Sequence, residues 1–185
     1  MKLDFGRILI VSPHADDWFL GAMKFAITSE VRCLILTDWR DANTQVEQDG
    51  AWKALNPAGG YRLCHLTDGK LPEESSKLRE ILHGEINAFK PDTIITPNGV
   101  HQDHEAAWDE VRRTTINQPC ALVICYPNLN CTLPLPTFTL HLSEEEAKLK
   151  ERVFDEVWQS QHWRRQYCQL GEVELYNLVR GSKKW

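Results

Sequence analysis

The sequence predicts a single-domain α/β fold, a Rossmann-like parallel sheet flanked by helices. Two observations carry that prediction. Short apolar, β-branched runs at 8–11, 31–37, 61–66, 93–96 and 122–125 read as fully buried strands. The stretches between them, 19–28, 46–55, 76–89 and 105–116, repeat apolar residues at helical spacing, so strand and helix alternate through most of the chain. At 185 residues and 42% hydrophobic content, one domain spanning residues 1–185 can bury a core without disulfides or a structural metal. Element ends are marked by chemistry. Asn56 with Pro57 stops the second helix, Lys90 with Pro91 stops the third, and Ser143 with Glu146 forms a capping box that opens the last. Pro134 and Pro136 make 128–137 a loop, 138–142 reads as an added strand, and 172–179 as an edge strand before a frayed tail.

Composition narrows the partners. The net charge of -5, with both signs mixed along the chain, gives no basic footprint for DNA or RNA. No basic, apolar leader is visible and no apolar run approaches the roughly 20 residues of a membrane span, so a soluble, cytoplasmic protein is expected. Cys33, Cys64, Cys120, Cys125, Cys131 and Cys168 are scattered, several inside apolar runs, which suits reduced, buried thiols with no catalytic part. Trp18, Trp39 and Trp108 flank polar segments, where tryptophan serves as core packing or as the wall of a sugar-sized pocket.

Two strand-to-helix loops concentrate metal-binding and proton-moving side chains. The first reads Ser12-Pro13-His14-Ala15-Asp16-Asp17-Trp18, and the second ends His101-Gln102-Asp103-His104. Taken singly, Asp17 and Asp103 read as helix caps, and His14 and His101 as surface or hydrogen-bonded core histidines. Together, at one edge of a doubly wound sheet, they read differently, because crowding carboxylates and imidazoles at buried strand ends costs solvation energy that a metal would offset. His14 and Asp17, three apart on a tight turn, can converge on one ion with His104. Three nitrogen and oxygen donors with a position left for water describe a catalytic zinc site.

These loops resemble those of the LmbE-like, or PIG-L-like, deacetylases. The family's His-Pro-Asp-Asp-Glu appears as His14-Ala15-Asp16-Asp17-Trp18 with Gly21 following. Its His-x-Asp-His appears as His101-Gln102-Asp103-His104, and Asp68-Gly69-Lys70-Leu71 matches an Asp-Gly-x-Leu segment. The likeness covers about residues 7–125. It implies one Zn2+ per chain on His14, Asp17 and His104, with Asp16 as general base. His101 would stabilise the oxyanion or protonate the leaving amine, with Asp103 orienting a histidine and keeping His101 protonated. The implied substrate is a small N-acetylated molecule, an amino sugar or a GlcNAc derivative. Trp18 stands where the family has glutamate and is expected, with Arg40, at the substrate; Glu47 is a further pocket candidate. The chain is short for the family, which leaves room for a site completed by 128–136 or by a second subunit of a homo-oligomer. A binding protein that keeps the metal and has lost turnover is the competing reading, disfavoured by the retained acid and base. A phosphate-binding loop is excluded, since 12–17 lacks glycine and carries two carboxylates.

Overall fold

The structure, a computed structural model, describes residues 5–38, 44–55, 57–97, 99, 101–127, 136–160, 162, 165, 168 and 170–180. In chain order the elements are β1 (Ile8–Ser12), α1 (Asp17–Thr28), β2 (Val31–Asp38), α2 (Thr44–Leu55), β3 (Gly59–Thr67) and α3 (Ser75–Phe89). They continue with β4 (Thr93–Pro97), α4 (Gln102–Thr114), β5 (Ala121–Cys125), β6 (Phe138–His141), α5 (Glu144–Glu156) and β7 (Val173–Arg180). The strands form one seven-stranded sheet in the order β3-β2-β1-β4-β5-β7-β6. The first five of that order run parallel, as the alternating pattern predicts, and β7 and β6 add antiparallel.

β1 is buried throughout, and its alternating side chains feed two cores. Ile8 and Ile10 join Phe19, Phe25, Ala51 and Phe154 under α1, α2 and α5. Leu9 and Val11 join Leu78, Leu82, Ala107 and Val111 under α3 and α4. Because β1 is sandwiched on both faces it reads as a continuous apolar run, the sequence signal of a buried parallel strand. The chain builds outward from β1 through β2 to β3, then crosses to β4 on the other side of β1. That reversal opens a crevice between the carboxyl ends of β1 and β4, where ligands bind in such sheets.

The predicted helix stops hold. α2 ends at Leu55, α3 ends at Lys90 in the left-handed conformation (φ 50°) ahead of Pro91, and the Ser143–Glu146 capping box is formed at both of its bonds. Other expectations change. α1 and α4 begin earlier than their apolar repeats, so Asp17, Asp103 and His104 lie in first helical turns and not in loops. The 173–180 strand is interior, between β5 and β6, and the edge belongs to β6. The sequence cue failed there because a short alternating strand looks alike at an edge and beside one. No helix among the described residues is long and apolar enough to cross a membrane, and the five described cysteines form no disulfide.

Gly21 sits where α1 crosses the end of β5. A Cβ there would lie 3.0 Å from the Pro127 backbone nitrogen and 3.2 Å from Cys125 Sγ. Overpacking against backbone costs about 1–3 kcal/mol, against a helix-propensity gain of about 1 kcal/mol. Gly21→Ala should therefore lower the denaturant midpoint rather than raise it, by a net amount on the order of 1 kcal/mol.

Candidate metal centre

The loop after β1 is folded by its own polar groups. Ser12 Oγ donates to the His14 carbonyl (2.6 Å) and accepts the Trp18 N–H (3.0 Å), closing the turn. From β2, Thr37 donates both its hydroxyl (2.8 Å) and its N–H (3.1 Å) to the Pro13 carbonyl. The His14 N–H donates to Asp17 Oδ2 at 2.9 Å, so Asp17 reaches back over the turn rather than capping the helix. Asp16 is the N-cap residue, yet its side chain makes no cap hydrogen bond, and it is buried. The cap explanation therefore fails for Asp17.

After β4 it is the His101 ring that caps α4, its Nδ1 accepting the Asp103 N–H at 3.2 Å. The Asp103 carboxylate turns away from its own helix and accepts the N–H groups of Gly69 (2.7 Å) and Leu71 (3.1 Å). Gln102 Nε2 adds a bond to the Gly69 carbonyl (2.6 Å). Gly69 has φ of +73°, which only glycine takes without strain, so the turn after β3 is pinned against the start of α4.

These loops bring His14, Asp17 and His104 together, with one candidate ligand atom of each within 4.8 Å of the others. His104 Nε2 is 3.1 Å from Asp17 Oδ2 and 3.2 Å from His14 Nδ1, and His14 Nδ1 is 3.3 Å from Asp17 Oδ2. Donors held ~2.0–2.2 Å from one tetrahedral ion stand roughly 3.3–3.6 Å apart, so a slight spreading of these side chains is all the fit requires. The second nitrogen of His14, Nε2, is 3.4 Å from both Asp68 Oδ1 and Asp103 Oδ2. A carboxylate behind a ligating imidazole is the usual support for a metal-bound histidine. The donor set and this backing both suit a divalent cation. Nδ1 of His104 is buried without a hydrogen-bond partner among the described residues.

Electrostatics point the same way. Burial pulls the His14 pKa down, but Asp103, Asp17 and Asp68 outweigh it and hold it well above the ordinary value. Burial pushes Asp17 up, and the charges and hydrogen bonds of His104 and His14 carry it well below the usual carboxylate range. Asp68 is lowered chiefly by its hydrogen bond to His14. Asp103 is lowered too, burial being outweighed by His14 and by the Gly69 and Leu71 N–H groups. The pocket thus selects positive charge at its centre.

His101 departs from expectation. Its pKa is lowered, by burial first and by the His14 charge next, and Asp103 Oδ2 lies 3.9 Å away with its lone pairs spent on the β3 turn and His14. Asp103 thus faces His14 Nε2 at 3.4 Å, and its upward pull on His101 is outweighed by burial and by the His14 charge. With Nδ1 accepting a backbone N–H, the neutral form of the ring is the tautomer with its proton on Nε2.

Trp18 is also corrected. It is 0% exposed, its Nε1 donates to Gln48 Oε1 (3.0 Å), and it packs on Trp52 and Phe19, so it presents no surface to a substrate. Glu47 accepts the N–H and hydroxyl of Ser160 (2.8 and 2.6 Å), a tie from α2 to the segment after α5. Arg40, and the 128–135 part of the loop expected to complete the site, lie outside the described residues. Asp68 received no role from the sequence, although the Asp68-Gly69-Lys70-Leu71 match marked its position.

The fold is that of the LmbE-like deacetylases. A deacetylase of teicoplanin biosynthesis, solved with teicoplanin, superposes with a TM-score of 0.69 at 14% identity, over 96% of this chain and 100% of that one. A zinc-inhibited form of the teicoplanin deacetylase Orf2 gives 0.66 at 13% identity, over 96% and 99%. GalB, the 4-carboxy-2-hydroxymuconate hydratase of Pseudomonas putida KT2440, gives 0.62 at 11% identity, over 94% and 96%. No family model and no curated protein matches the chain. Since one fold carries a deacetylase and a hydratase, the side chains must decide the chemistry.

With metal removed by a chelator, the two shifted groups set the pH response. His14, raised in the folded state, contributes stability that is complete below its unfolded value of ~6.5 and is lost as pH rises through the folded value. Asp17, lowered, contributes above ~3.9 and loses it as pH falls through its folded value. The denaturant midpoint of the metal-free protein should decline as pH rises beyond ~6.5, and His14→Ala should abolish that decline.

Proposed function

We propose that the chain, as one deacetylase-like domain, is a metal-dependent amidohydrolase. It removes an N-acetyl or related N-acyl group from an amino sugar or a GlcNAc-containing small molecule. The observation that carries this reading is the convergence of His14, Asp17 and His104 at the β1–β4 crevice, backed by Asp68 and Asp103. The teicoplanin deacetylases of the same fold support the reaction class.

Zn2+, one per chain, would be held by His14, Asp17 and His104; bound there it would polarise the amide carbonyl and lower the pKa of water toward ~7. That a zinc-inhibited neighbour is known makes other divalent ions part of the test. Asp16, buried beside Asp17 with its side chain unspent on the helix cap, takes the proton of the attacking water. His101, half exposed at the mouth of the site, offers its Nε2 proton to the oxygen on which charge develops or to the departing amine. Asp103 and Asp68 fix the His14 ring. The protein acts in the cytoplasm, and a homo-oligomer is the form in which a second copy would complete the substrate pocket.

Metal content by elemental analysis and acetate release from N-acetylated sugars test this together. About one equivalent of metal is expected, lost in His14→Ala and His104→Ala. Asp16→Asn should keep the metal and lose about 10²–10⁴-fold in kcat. Protein that takes up no divalent ion would overturn the reading, and metal without turnover on any sugar or non-sugar amide would favour the binding protein.

A further inference from the structure

Helix α1 is broken at Ala22, whose φ of -142° and ψ of 20° leave the helical range. In an unbroken helix the Lys24 N–H would bond to the Leu20 carbonyl. Here the Lys24 N–H donates to Glu174 Oε2 at 3.1 Å, and the Leu20 carbonyl accepts from Lys150 Nζ at 2.7 Å. Lys150 and Glu174 pair at 2.6 Å, and both side chains are 0% exposed. A buried ion pair thus takes the place of one helical hydrogen bond, its positive end on the acceptor and its negative end on the donor. The Tyr176 hydroxyl donates to the same Glu174 oxygen, and Lys24 Nζ reaches Glu146 in the first turn of α5. α1, α5 and β7 are joined at this point.

An apolar pair of similar volume would hold these elements at least as firmly, since a buried ion pair gains little over it in stability. What the charges supply is a reason for the helix to stay broken. The break separates the front of α1, which carries Asp17 and follows Asp16, from the rest of the helix. Just before it, Gly21 runs so close to the Pro127 backbone that a Cβ there would lie 3.0 Å from the Pro127 nitrogen. The direction of that front turn sets where the Asp17 carboxylate meets His14 and His104, whose separations of 3.1–3.3 Å leave little slack.

We propose that Lys150 and Glu174 are positioning residues for the His14–Asp17–His104 site, acting by holding α1 broken at Ala22; this rests on reading that site as a metal centre. The double variant Lys150→Met/Glu174→Leu strands no buried charge and leaves the Lys24 N–H and Leu20 carbonyl free to bond each other. Its crystal structure should show α1 continuous through Ala22, and its zinc affinity, measured by chelator competition, should fall by about 10–100-fold. The variant Lys150→Gln/Glu174→Gln keeps a donor for Leu20 and an acceptor for Lys24, and should retain both the break and near wild-type affinity. A purely structural pair would move the melting temperature and leave zinc affinity alone.

Wild-type affinity in the Met/Leu variant overturns the proposal, as does weakened affinity with α1 still broken. If the Met/Leu variant does not fold, the alternative apolar pair Lys150→Leu/Glu174→Met is read in the same way: an about 10–100-fold loss of zinc affinity with α1 continuous upholds the proposal, and wild-type affinity overturns it. Failure of the metal reading itself is seen separately, as wild-type protein that binds no zinc.

Discussion

The buried carboxylate of Asp103 is the interaction on which the site depends. A carboxylate taken fully out of water costs several kcal/mol unless its lone pairs are satisfied. Here two backbone N–H groups from the turn after β3 and the His14 ring share it. In meeting that demand the chain ties three strand ends to one another: β3 through Gly69 and Leu71, β1 through His14, and β4 through Asp103 itself. The same bonds aim His14, so the orientation of a candidate ligand follows from the solvation needs of a neighbour. Asp68, carried on the pinned turn, is delivered to the same imidazole nitrogen.

Most of the fold was legible because its central strands are buried on both faces. Ile8, Leu9, Ile10 and Val11 serve two cores at once, which leaves an uninterrupted apolar run in the sequence. The grouping of His14, Asp17 and His104 was legible as well, since each lies within a few residues of a strand end at the point where strand order reverses. Partner assignments were not legible. Asp103 was given to His101, its neighbour in sequence, whereas its carboxylate serves a turn far away in the chain. Nothing local announces that choice, because it depends on which loop the sheet places opposite.

Trp18 illustrates a second limit. Its position in the motif placed it at the substrate, but a residue in the first turn of a helix can face the crevice or the core, and here the indole is fully buried against α2. The bond to Gln48 and the contact with Trp52 then absorb its polar edge and its ring face. A carboxylate at that place would face the same apolar surroundings, so the tryptophan belongs to the α1–α2 contact. Ala22 is similar: Gly21 beside it is the local cue to a break in α1, but the groups that take up the displaced helical hydrogen bond lie far away in the chain, in α5 and β7.

The interior position of β7 has a consequence for how the molecule is made. β6 has β7 as its partner and β5 takes β7 on its far side, so while a ribosome is still delivering the last described strand, β5 presents an open edge and β6 has nothing to pair with. Unpaired edges of this kind recruit other chains. The nascent protein therefore carries its greatest exposure to misassociation in the interval before β7 arrives, and a chain arrested short of β7 would lose the middle of its antiparallel extension rather than a dispensable tail.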